Sequence, residues 1–163
     1  MRAVQSKQTH MSPEFKVSGR ISKPVHEVFE GVADPKQLSG YFTTNGASGR
    51  LQTGATVTWD FHDFPGAFPV HVVEVEQDKK IVLHWGAADG TPEQGGSYET
   101  TVTMTFEPLD DGRTLVTIAE TGWRDTVAAQ KAAFGNCEGW TGMLCALKVY
   151  IEHGINLREG FYK

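Results

Sequence analysis

Glu120 is the residue whose type and setting point most directly to chemistry. In the run Thr114 to Thr121 (TLVTIAET), Val116, Ile118 and Glu120 alternate with Leu115, Thr117 and Ala119, so a carboxylate shares a face with apolar neighbours. Such a carboxylate is costly to hold unless it is paired or solvated. It reads either as a general base or hydrogen-bonding group for a ligand, or as a strand-end carboxylate that reaches water or Arg124. His71 is the second candidate, as an acid or base or as a hydrogen-bonded structural histidine. The histidines at 62, 71 and 84 show no H-E-x-x-H or related spacing, so no metal site is expected. Cys137 and Cys145 lie eight positions apart in one helical pattern, or about 12 Å, beyond the reach of a disulfide. They are expected as small reduced residues near a packed face. The glycine-rich Gly86 to Ser97 matches neither G-x-x-x-x-G-K-[ST] nor a dinucleotide fingerprint, so it is a long loop and no phosphate cradle.

Strands must position these groups. Glu14 to Ile21 alternates as a first strand. Ser22 is placed to cap a short helix in which Val25, Val28, Phe29 and Val32 form a stripe, and Asp34 caps a further turn from Pro35 to about Gly40. Only strands follow: an edge strand within Ala47 to Leu51, then Thr56 to Phe61, Val70 to Glu76, Lys80 to Trp85, Tyr98 to Glu107 and Thr114 to Thr121. Two helices after one strand, with strands alone thereafter, exclude an alternating parallel α/β sheet. Setting Phe106 opposite Val116 puts Met104 against Ile118 and Val102 against Glu120. Setting Val75 opposite Ile81 puts Val73 against Leu83 and His71 against Trp85, which turns His71 inward unless a bulge intervenes.

After Thr126 comes the longest helical pattern, in which Trp140, Met143, Leu144, Leu147, Tyr150 and Ile151 recur at three and four residues. Gly135 and Gly139 weaken its first turns by roughly 1 kcal/mol each relative to alanine, so a kink or irregular turn is expected there. A stripe this broad needs a large apolar surface. The expected architecture is therefore α+β, a curved antiparallel sheet of about six or seven strands wrapped on a long carboxy-terminal helix.

The chain has 163 residues, 39% of them hydrophobic and 21% charged, which suits one soluble domain over 13–163 after a flexible tail over 1–12. A net charge of -5 argues against general affinity for nucleic acid or anionic membrane. The first dozen residues lack the apolar core of a secretory signal, and with the unpaired cysteines this points to the cytoplasm.

The opening S-K-P-V-H-E-V-F and A-D-P-K-Q-L, the middle I-V-L-H-W, the strand G-R-T-L-V-T-I-A-E-T-G-W and the closing G-W-T-G-M-L-C-A-L-K-V-Y-I occur in this order. Together they resemble the START-like helix-grip (SRPBCC) superfamily, the birch-pollen-allergen-like fold. Within it the chain is most similar to the group named for the carboxy-terminal domain of the heat-shock protein 90 ATPase activator. Two departures stand out: Tyr41 and Phe42 where relatives often carry tryptophan, and Glu120 where they commonly carry histidine.

The resemblance implies a cup that holds an apolar or amphipathic small molecule or lipid between sheet and helix, in a monomer or homodimer. Its expected lining is Trp59, Phe61, His71, Trp85, Tyr98, Met104, Glu120, Trp140, Leu144 and Leu147, with no catalytic residue, cofactor or metal assigned. The alternatives are a chaperone-associated interaction module, and an enzyme on a hydrophobic metabolite that uses Glu120 and His71.

Overall fold

The computed structural model describes residues 11–163. The tail expected over 1–12 lies almost wholly outside the described residues. Strand β1 (Phe15–Ile21) is followed by helices α1 (Val25–Ala33) and α2 (Pro35–Leu38). Then come β2 (Gly46–Ser48), β3 (Thr56–Asp60), β4 (Phe68–Glu76), β5 (Lys80–Gly86), β6 (Glu99–Pro108) and β7 (Thr114–Thr121), and the chain turns into α3 (Val127–His153). The strands make one antiparallel sheet in the order β1-β7-β6-β5-β4-β3-β2. Consecutive strands pair as neighbours from β2 to β7. Only β1, separated from β2 by the two short helices, crosses to the far edge.

Local chemistry sets the boundaries. The Asp34 side chain accepts from the Lys36 amide at 2.9 Å and Pro35 occupies the first turn, so α2 starts there. Thr126 caps α3 by accepting from the Ala129 amide. At the other end Gly154 adopts φ 69° and its amide bonds to the Tyr150 carbonyl, which stops the helix in a left-handed turn. Ser22 does not cap α1: its amide donates instead to Glu152 at the carboxy-terminal end of α3, and Pro24 precedes the helix without a side-chain cap.

The β6–β7 register is the one expected, with Val102 opposite Glu120, Met104 opposite Ile118 and Phe106 opposite Val116. The β4–β5 register corrects the expectation. Val75 faces Ile81, but a bulge between Val72 and Glu74 brings Val72 against Leu83 and Val70 against Trp85. The extra residue, Val73, is 45% exposed, and every position before it changes face. His71 therefore pairs with His84 on the outer face of the sheet.

Val57, Trp59, Val70, Val72, Ile81, Leu83, Val102, Met104, Val116 and Ile118 turn inward onto Trp140, Met143, Leu144 and Leu147 of α3. Each fully buried aliphatic side chain contributes about 1.5–3 kcal/mol. Phe29 joins this core edge-on to Phe106, and Tyr41 donates its hydroxyl to the Gly31 carbonyl at 3.0 Å. Burial holds the Tyr41 phenol well above its ordinary pKa, with Tyr150 adding to the shift.

α3 runs as one uninterrupted helix from Val127 to His153, so no irregular turn breaks it at Gly135 or Gly139. A Cβ at either glycine would meet nothing within 4 Å. Gly139→Ala should raise stability by about 1 kcal/mol through helix propensity, whereas Gly154→Ala should lower it by about 1 kcal/mol through its positive φ. Urea unfolding of the two variants beside the parent chain checks both signs.

Candidate functional site

The sheet and α3 part at one end, and side chains from four elements meet there around a single carboxylate. Glu120 has no solvent exposure. Its Oε1 accepts from Trp85 Nε1 at 2.9 Å, Thr100 Oγ1 at 2.6 Å and Asn136 Nδ2 at 3.1 Å. Its Oε2 accepts from Trp140 Nε1 at 2.9 Å and from the same Asn136 amide at 3.2 Å. Arg124, eligible by sequence as its partner, lies elsewhere: its guanidinium binds the carbonyls of Gln94, Gly95 and Gly96 and stacks over Tyr98 at 4.1 Å.

The geometry follows from the strand register. Thr100 and Glu120 point inward from adjacent strands, Trp85 continues the inner row of Ile81 and Leu83, and Asn136 and Trp140 are four residues apart on one face of α3. All four partners present donors, so the site suits a carboxylate that accepts and never donates. Hydrogen bonds to a charged acceptor are worth roughly twice neutral ones, which offsets much of the cost of burying it without a cation.

The two indoles fixed in this way stand 5.1 Å apart, inclined by 40°. In front of them opens a cavity of about 610 Å³, walled by Phe42, Phe61, Phe68, Trp85 and Trp140, with Asn136, Gly139 and Glu138 from α3. Phe42 packs on Phe61, Trp59 and Trp140 with centroids 5.0–5.6 Å apart, and Phe68 on Phe61 and Trp85 at 5.7 and 5.9 Å.

The segment after Gly154 closes one side. Arg158 donates Nε and Nη2 to Asp63 Oδ1 at 3.2 and 2.9 Å, and both side chains are almost without solvent. The guanidinium lies 4.6 Å from the Phe61 ring and 5.0 Å from Tyr162. Burial pushes the Tyr162 phenol up, while Arg158 pulls it down. Arg158 and Tyr162 line this cavity and also a second, apolar one of about 490 Å³ on the other side of the tail, which takes in Cys137 and Cys145.

The structure thus gathers Phe61, Trp85 and Trp140 at the cavity, with Glu120 directly behind its wall. Trp59, Met104 and Leu147 are fully buried and Leu144 nearly so, all in the packed core beneath. Tyr98 stands apart, donating to Asp89 at 2.5 Å in the loop before β6. Burial raises its phenol pKa first and the Asp89 bond second. His71 faces outward, 44% exposed, with Nε2 3.1 Å from Glu99. Sequence reasoning missed Asn136, Thr100, Asp63 and Arg158. Asn136 was detectable from its four-residue spacing to Trp140, but Asp63 and Arg158, 95 positions apart, carry no local signal. Among the described residues no cluster of His, Cys, Asp or Glu could hold a metal ion, and no helix is long and apolar enough to cross a membrane.

A curved antiparallel sheet gripping one long helix, with two short helices after the first strand, defines a START-like helix-grip protein. The family described as Activator of Hsp90 ATPase homolog 1-like protein matches residues 22–152, and the chain belongs to that family. No curated protein sequence matches it. Among solved structures it is similar to protein SSP2350 from Staphylococcus saprophyticus, with 28% identity and a TM-score of 0.73 over 90% of this chain and 96% of that one. DynU16, from the dynemicin biosynthetic locus, matches with 28% identity and a TM-score of 0.67 over 86% of this chain and 48% of its own. The Aha1 dimer from Colwellia psychrerythraea shares the fold, with 20% identity and a TM-score of 0.68 over 87% and 98% of the two chains.

Glu120→Ala would leave the buried Trp140 indole N–H, the partly buried Trp85 indole N–H, a hydroxyl and an amide without their acceptor, and should cost about 3–5 kcal/mol. Glu120→Gln keeps one carbonyl oxygen and should cost about 1–3 kcal/mol. Denaturant titration followed by tryptophan fluorescence measures both, and equal losses would mean that the acceptor count is not what matters.

Proposed function

We propose that this protein binds an apolar or amphipathic small molecule with a flat body in the cleft between β3–β5 and the amino-terminal half of α3. The observation that carries this reading is the aromatic-walled cavity of about 610 Å³. Its volume falls in the range of roughly 300–1,000 Å³ usual for small-molecule pockets, and a few fixed polar groups accompany its apolar lining. Phe61, Trp85 and Trp140 make the slot, Phe42 and Phe68 extend it, and Asn136 supplies a polar edge. Glu120 acts as a positioning residue that holds the two indoles.

Binding without catalysis fits the polar groups best. Glu120 and His71 lie on opposite faces of the sheet and cannot converge on one substrate atom. A chaperone-docking module would not need an open cleft between sheet and helix.

The neutral fluorescent probe N-phenyl-1-naphthylamine tests the cleft. It should brighten saturably at one site, and Gly139→Leu, which fills the slot from α3, should weaken binding about tenfold or more, a loss of about 1.4 kcal/mol. Failure to saturate, or equal affinity in a folded Gly139→Leu variant, would sink the proposal.

A further inference from the structure

The shape of the cleft favours a flat apolar body, and its charge favours one sign. The five hydrogen bonds that Glu120 accepts all come from neutral donors, so no cation offsets its charge at close range. Three of the residues that donate them, Trp85, Asn136 and Trp140, line the cleft, so the carboxylate stands one side chain behind its wall. Glu138 adds a second carboxylate at the edge. Arg158 lines the cleft too, but its charge is committed to the buried Asp63 carboxylate. Lys163 is a further cation at the rim, with Nζ 4.3 Å from the ring of Phe64, a lining residue that is itself 52% exposed, so water screens its charge.

The rings around this cleft already serve cations. Arg158 lies over Phe61 and Tyr162, and Lys163 over Phe64. Aromatic faces carry negative potential, and a carboxylate in a poorly solvated setting acts over several ångströms with little screening. Both effects attract a positive guest and repel a negative one of equal size.

We propose that the cleft selects organic cations: a primary or quaternary ammonium carried on an aromatic or aliphatic body, preferred over the neutral and anionic molecules of the same shape. This inference rests on the cleft being the ligand site. Glu120 then has a second consequence, since the charge that positions the indoles also sets the sign of the guest.

Isothermal titration of the full chain at neutral pH and low ionic strength with three matched probes tests it: 2-naphthylmethylammonium, 2-naphthalenemethanol and 2-naphthoate. The expected order is ammonium, alcohol, carboxylate, with about tenfold or more between the first and last. Glu120→Gln should shrink that ratio. Should this variant fail to fold, Glu138→Gln, at an exposed position, should still reduce it by about twofold, less than Glu120→Gln because solvent screens it. Equal affinities, or tighter naphthoate, would overturn the charge selection and leave the cleft as a binding site. If none of the three binds while N-phenyl-1-naphthylamine does, charge selection is again rejected. If no probe binds at all, the cleft reading falls and takes this inference with it.

Discussion

One buried carboxylate ties the structure together. Glu120 on β7 accepts from Trp85 on β5, from Thr100 on β6 and from Asn136 and Trp140 on α3. Three neighbouring strands and the helix that crosses them are thereby joined at one point. An apolar residue at 120 would pack against the same neighbours but leave two indole N–H groups without acceptors, each at a cost of about 1–3 kcal/mol. The aromatic wall depends on this anchor, because the indoles can present their flat faces to the cleft only while their edges are held from behind.

A second buried charge closes the other side. Asp63, just past β3, and Arg158, beyond the end of α3, form a pair that holds the carboxy-terminal segment against Phe61. Buried pairs of this kind contribute little net stability and much geometric definition, since either partner left alone is a costly defect. In this chain the pair decides where the tail lies, and the tail separates the aromatic cleft from the apolar cavity that holds Cys137 and Cys145. Tyr162 reinforces the placement. Its hydroxyl lies against Gly142, where a Cβ could not be accommodated without displacing it.

Most of the fold was legible because its signals are local and periodic. The alternation in β6 and β7 placed Val102 opposite Glu120 from sequence alone, and the stripe from Trp140 to Leu147 located the inner face of α3. What escaped had no period. The bulge after Val72 costs one residue and reverses every earlier position, so His71 moved from the expected cup to the outer surface beside Glu99. Gly135 and Gly139 suggested a kink or irregular turn because propensity weighs against glycine, yet packing along the rest of α3 keeps the helix uninterrupted. The tail beyond Gly154 has neither stripe nor alternation, and its one informative residue, Arg158, finds its partner almost a hundred positions upstream.

The spread of the Glu120 donors along the chain bears on the order of folding. Trp85, Thr100, Asn136 and Trp140 span more than fifty positions, and none can reach the carboxylate by a local turn. The β5–β6–β7 meander can pair early, because its contacts are comparatively close in sequence. Until α3 docks, however, the carboxylate lacks its Asn136 and Trp140 donors and stays open to water. Helix docking and dehydration of Glu120 are therefore one event. The cleft comes into being with that event, so an intermediate lacking the docked helix would have a sheet and no cleft.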